Sequence, residues 1–320
     1  MQIDRRRLLG SAFAAPLLFL PVTARAQPAK VVLGTATPGG GFPVYGAALV
    51  AALKTVDPEL EIEQRGTKGS TENVPMLERG ELDLGLVTGE VLHEALAGPG
   101  RPSARVKILS AMYSQPGMFV VRADSPARGI ADLRGKPVAF GARGSGLVVL
   151  ARYVLDGIRL DLDRDFQPIF LDRAGDGPAM VLDGRASALW GAGLGWPGFA
   201  SVAGSPGGAR FIAPDAGQIQ AIRAKHGFLK PLLVPAGTYA GQDVPIPSVG
   251  SWSFILVRSD LDGALAYRLA RALNRAEPAL AASLPQGAET TAGNTVAAVS
   301  SPDALHPGAA RYLREAGFLR

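Results

Sequence analysis

The sequence predicts an α/β fold of two lobes, each a mostly parallel sheet flanked by helices, joined by two crossing strands. Three observations predict it. An apolar strand, a glycine-rich turn and a helix follow one another twice. Downstream of each copy a helical stretch leads into a second apolar strand. Two further apolar segments both end in Val-Arg-x-Asp and are followed by helical pattern. A chain of 320 residues has the length for two domains of ordinary size.

The elements follow in order. Asp4-Arg5-Arg6-Arg7, an apolar run from Leu8 to Leu20 and Ala24-Arg25-Ala26 have the charged start, short apolar centre and small-residue cleavage site of an export signal. Thirteen apolar-run residues fall short of the roughly 20 that span a bilayer. Arg5-Arg6 before Leu8-Leu9 resembles a twin-arginine signal, with general secretory export as the alternative. The mature chain is expected to begin at Gln27 and to be soluble and periplasmic.

The first copy is Val31-Val32-Leu33, the turn Gly34 to Gly41 and a helix from Val44 to Lys54. The second is Pro137 to Phe140, the turn Gly141 to Gly146 and a helix from Leu147 to Leu155. Asn73 to Gly80 leads into Leu84 to Val87, as Gly177 to Gly184 leads into Ala188 to Trp190. The Val-Arg-x-Asp segments are Met118 to Asp124 and Phe254 to Asp260. Set side by side, they make residues 119–254 an inserted lobe II, with residues 27–118 and 255–320 closing as lobe I.

Composition narrows the function. Apolar residues make up 47% of the chain, enough for a large core. With no cysteine, a disulfide scaffold, a thiol nucleophile and a cysteine-ligated metal are excluded. The three histidines, His93, His226 and His306, stand far apart, so no metal site and no cofactor is expected. The net charge of +5 includes +3 from the first 26 residues; the rest holds 29 basic and 27 acidic residues, no nucleic-acid footprint.

The turns Thr37-Pro38-Gly39-Gly40-Gly41 and Arg143-Gly144-Ser145-Gly146 each precede a helix. A helix N-terminus presents unpaired N–H groups and partial positive charge, and glycines let a ligand approach them. Each turn suits a carboxylate or phosphate oxygen, and Arg143 adds a fork that fits a carboxylate. Thr67 to Asn73 reads as a polar turn into a helix, with Ser70 or Thr71 as N-cap. Trp190, Trp196 and Trp252 lie in or beside glycine-rich loops, where pocket wall and core packing are the competing roles. Gly193-Leu194-Gly195-Trp196-Pro197-Gly198 fits a dinucleotide pattern in letters but opens no long helix, and is discounted. No acid–base pair stands out, so a binding protein is expected rather than an enzyme.

The order of several segments then carries a resemblance. Gly34 to Phe42 with Gly46, Gly69-Ser70-Thr71-Glu72-Asn73, Gly80 to Val87, Tyr113-Ser114-Gln115-Pro116, Leu133 to Val138, Gly144-Ser145-Gly146, Pro235 to Gln242 and His306-Pro307-Gly308-Ala309 occur in that sequence. The chain resembles the TAXI family of solute-binding proteins, periplasmic receptors of one branch of TRAP transporters. The resemblance implies a type II periplasmic-binding-protein fold, with a small anionic solute (an amino acid, 2-oxo acid or dicarboxylate) held between lobes and passed to an integral-membrane TRAP permease. By position it implies ligand contacts at Thr37, Gly40, Gly41, Phe42, Ser70, Thr71, Thr88, Tyr113, Gly144, Ser145 and Gly146. Arg143 and Trp190 join them from the residues' own chemistry. Phe42-Pro43 departs from the two aromatics usual in the family, and Arg143 from a small residue. The alternatives are a receptor of the same fold serving an ABC importer or a sensor, and an enzyme on a related two-lobe fold.

Overall fold

A computed structural model describes residues 29–97 and 105–320; the expected export signal lies outside the described residues. The chain opens with β1 (Ala29–Gly34), α1 (Gly41–Val56), β2 (Leu60–Arg65), α2 (Ser70–Glu78), β3 (Leu84–Thr88) and α3 (Gly89–Ala97). The long β4 (Val106–Arg122) leads to β5 (Pro137–Ala142), α4 (Gly146–Gly157), β6 (Gln167–Leu171), α5 (Gly177–Leu182) and β7 (Ala188–Ala192). After them come α6 (Pro197–Ala203), β8 (Ala209–Ile212), α7 (Ala216–Lys225) and β9 (Lys230–Val234). A second long strand, β10 (Ile246–Arg258), returns the chain to α8 (Gly263–Ser283), α9 (Ala292–Ala298) and α10 (Pro307–Glu315).

The strands run in the order β2-β1-β3-β10-β4-β7-β5-β6, with β8 added to β4 and β9 to β10. Pairing is parallel among β2, β1 and β3 and among β6, β5 and β7. It is antiparallel wherever β4 or β10 takes part. Burial follows position. All five residues of β3 are buried, as helices on both faces require, and its sequence is correspondingly apolar throughout. The edge strand β2 exposes Glu61 and Glu63, charges that discourage further strand addition.

Buried side chains form one cluster drawn from Val31 to Tyr113 and from Phe254 to Leu313, and two more drawn from Met118 to Val249. The first half and the second half thus have separate cores, and only β4 and β10 run through both. A register slip between Trp252 and Phe254 falls where β10 passes from one to the other, and a second, between Ile255 and Leu256, lies within the first half. In the first half, Arg268 of α8 holds Asp57 at the end of α1 through two bonds of 2.7 Å. That guanidinium keeps the Asp57 carboxyl below the usual carboxylate range.

The sequence comparison of the two Val-Arg-x-Asp segments needs one correction. Their strands are antiparallel neighbours, but the segments themselves do not pair. Phe254 to Arg258 pairs with Val106 to Ala111, whereas Met118 to Arg122 pairs with β7 and β8. Antiparallel running sends the two similar ends into opposite halves. The helix expected after the first segment is a single 3-10 turn, Ile130–Leu133. His306-Pro307-Gly308 has a packing role: the imidazole caps α10 by accepting from the Gly308 amide at 3.1 Å, and Gly308 lies against Gly263 of α8.

Candidate functional site

The carboxyl ends of β1, β3 and β5 point towards the junction of the halves, and the helices that follow begin there. α1 starts on Gly40, whose position offers no side-chain cap, and Pro43 in its first turn has no N–H. The Gly41 and Phe42 amides are therefore left without an intrahelical or capping partner. α2 starts on Gly69, one residue earlier than the N-cap expected from sequence. Ser70 is its first helical residue, and the Ser70 hydroxyl accepts from the Thr88 amide at 3.1 Å. Asn73 fastens the region by donating to Thr35 and Leu86 carbonyls at 2.9 and 2.8 Å. α4 starts on Ser145, whose hydroxyl accepts from the Leu147 amide at 3.1 Å, and the Gly146 amide remains free.

The halves are closed on each other around these termini. Thr71 donates both its hydroxyl and its amide to the Gly144 carbonyl, at 3.0 and 3.3 Å. The Gly175 amide reaches the Pro38 carbonyl at 3.4 Å. Tyr153 donates to Glu94 at 3.1 Å, and His93 stacks on Phe228 with centroids 4.0 Å apart. Glycine is required at two points of this seam. Gly69 has φ +116°, and a Cβ there would sit 2.9 Å from the Gly144 oxygen. A Cβ on Gly146 would overlap the Thr88 side chain.

Between the halves lies a cavity of about 50 Å³. At roughly 10–15 Å³ per water on this measure, it has room for a small molecule of several heavy atoms. Nine of the expected residues line it: Thr37, Gly40, Gly41, Phe42, Ser70, Thr88, Tyr113, Ser145 and Gly146. No Asp, Glu or His is among the lining residues, and Lys68 is the cation there. Partial positive charge from three helix starts and the absence of a carboxylate from the lining make the cavity favourable for an anion, with the exposed Lys68 at its edge. Burial pushes the Tyr113 hydroxyl well above its ordinary pKa, so it stays protonated.

Four expected residues are not brought to the lining. Arg143 is exposed, and its guanidinium lies 4.2 Å over the Phe170 ring. The turn carries its side chain outwards while Ala142 and Ser145 face in. Trp190 is fully buried; its Nε1 donates to the Leu147 carbonyl at 2.8 Å and its ring packs against Phe119. Thr71 and Gly144 spend their polar atoms on each other across the seam.

Sequence reasoning missed Lys68, Gln115 and most apolar walls, among them Leu147, Leu171 and Leu189. It left open the role of Trp196, which lines the cavity and lies against Gly41. The discounted glycine pattern around Trp196 has a physical purpose. A Cβ on Gly191 or Gly198 would run into the indole ring. Tyr239, in the turn after β9, accepts from the Trp196 amide at 3.0 Å and fixes that loop. Glu90, beside the cavity in the first turn of α3, is fully buried and accepts from the Ser251 hydroxyl at 2.8 Å. Burial pushes its carboxyl up to about 7. Among the described residues no group of acidic and histidine side chains could hold a metal ion, and no helix is long and apolar enough to cross a membrane.

Comparison with solved structures places this architecture. A protein of Bordetella bronchiseptica RB50 superimposes with TM-score 0.57 at 14% identity, over 91% of this chain and 98% of the other. A structure described as a periplasmic transporter matches with TM-score 0.51 at 16% identity, over 80% and 84%. The alkanesulfonate-binding protein SsuA of Xanthomonas axonopodis pv. citri, bound to MOPS, matches with TM-score 0.50 at 19% identity, over 90% and 84%. At these identities the likeness is one of fold: the chain has the α/β fold of periplasmic binding proteins. A family model extends this to the sequence, matching residues 33–317, nearly all of the described chain, and by that match the chain belongs to the NMT1-like family.

Proposed function

We propose that this protein is an exported solute-binding receptor that captures a small oxyanion between its halves and hands it to a membrane importer. The observation that carries the reading is the cavity itself. Free amides of Gly41, Phe42, Ser70 and Gly146 converge on it with Lys68, and no lining residue is acidic. Residues 27–118 with 255–320 then act as one lobe and residues 119–254 as the other, hinged in β4 and β10. Closure around the anion excludes water and strengthens each amide contact, and the ligand shifts an open–closed equilibrium that an importer can sense.

The ligand is a small carboxylate, as the sequence motifs suggest, or a sulfonate, the class bound by the Xanthomonas protein of like fold. For the partner, an ABC-type importer is put first on that same likeness. A TRAP permease is the second reading, supported by the ordered sequence motifs alone. Dependence of uptake on ATP or on an ion gradient separates them. Catalysis is not part of the reading, since the lining supplies no acid–base pair.

A thermal-shift and calorimetric screen of amino acids, 2-oxo acids, dicarboxylates and small sulfonates tests the receptor. A ligand that binds the folded form alone raises the melting temperature. If no anion in the screen raises it or releases heat, the reading fails.

A further inference from the structure

The floor of the cavity is the place where β3 ends against the two crossing strands. Thr88 closes β3 and pairs in register with Ser253 of β10. Gln115 lies in β4, and its amide nitrogen donates to the Ser253 hydroxyl. Both residues line the cavity, and both are buried, at 2% and 3% exposure. Yet the Gln115 amide oxygen has no hydrogen-bond partner among the described residues, and the Thr88 hydroxyl has only the buried Glu90 carboxyl beside it. Polar atoms that deep are normally paired, because leaving them unpaired forfeits their hydration without return. The nearby walls Phe42, Leu171 and Leu189 are apolar and offer nothing in exchange.

We infer that Gln115 and Thr88 are the specificity-determining pair of this site: they complete their hydrogen bonds on the ligand, which is therefore an anion with a polar substituent and not a plain alkyl acid. The inference rests on the receptor reading and narrows its ligand class. The Ser253 hydroxyl can donate or accept, so the Gln115 amide can turn over and present either its oxygen or its NH2. The Thr88 hydroxyl likewise serves as donor or acceptor. A hydroxyl, amino or oxo group near the oxyanion satisfies the floor; a methylene leaves the Gln115 oxygen unpaired and the Thr88 hydroxyl with Glu90 alone. Rejection by unpaired polar groups is stronger than rejection by size alone.

The test is titration calorimetry on the full mature chain with two matched series. One is ethanesulfonate, 2-hydroxyethanesulfonate and 2-aminoethanesulfonate; the other is propanoate, 2-hydroxypropanoate and 2-aminopropanoate. In the wild type at least one substituted member should bind ~10-fold or more tightly than its plain parent. In Gln115→Met, and separately in Thr88→Val, which keeps the side-chain shape, that ratio should fall towards one. Equal binding of plain and substituted members to the wild type, or a ratio that survives in both variants, overturns the inference while leaving a receptor. Failure of every member of both series to bind overturns the inference together with the receptor reading for ligands of this size.

Discussion

The two glycine turns read alike in sequence, but they build unlike walls. The first leaves the Gly41 and Phe42 amides bare, because Gly40 has no side chain to cap them and Pro43 has no N–H. In the second, Ser145 spends its hydroxyl on the helix it starts. The rest of the lining follows the same division. Thr37, Lys68, Ser70 and Thr88 come from the first half; Ala142, Leu147, Leu171, Leu189 and Trp196 come from the second. The first wall supplies most of the donors, although Ala36 and Phe42 belong to it. The second supplies most of the apolar cover, with Ser145 and the Gly146 amide as its polar part. The first half is then the gripping surface, and closure of the second strengthens the grip by removing water.

That division can be broken or sharpened by substitution. The largest effect is expected at Glu90, the buried acid of the gripping half. Burial pushes its carboxyl up to about 7 from the ordinary 4.5, so between these values the folded chain holds a proton that the unfolded chain releases. The stabilisation is complete below pH 4.5 and is lost as pH rises through about 7, on the order of 3 kcal/mol. Glu90→Gln should remove this slope and be the more stable protein at pH 8. Urea unfolding at pH 5 and pH 8 reads the difference, and parallel behaviour of the two proteins would refute it.

Next comes Gly146→Val, which places atoms where Thr88 already stands. It should prevent closure and weaken anion binding by about 100-fold, as expected when the competent state is rarely populated. Small-angle scattering should then lack the ligand-induced contraction expected of the wild type. Lys68→Met should weaken binding by about 2- to 5-fold at low salt, and less as salt screens the exposed ammonium. Smallest of all is Arg143→Ala. Its guanidinium stacks on Phe170 away from the cavity, so affinity should stay within about twofold. A large loss there would place the anion outside the cavity described.

The sequence made the skeleton of the site legible because glycine turns and apolar strands are local signals. β1, α1, β5 and α4 lie where that pattern places them, within a few residues. The aim of side chains was less legible, since it depends on contacts far along the chain. Arg143 looked like an anion fork until Phe170 offered its ring. Trp190 and Trp196 sit in similar surroundings, but one donates to Leu147 in the core while the other is pressed against Gly41 across the seam. Gln115 stood within a recognised motif, but its exposure to the cavity arises from Ser253, 138 residues away. Leu171 and Leu189 carried no signal at all, being ordinary strand residues whose ends happen to meet the cavity.

Amide-resolved nuclear magnetic resonance is the most direct trial of the gripping-wall account. Titrating the strongest anion from the screen into labelled protein should move the Gly41, Phe42, Ser70 and Gly146 resonances most, with the first three shifting even when Gly146→Val blocks closure. Resonances at those positions that stay still while others respond would contradict it.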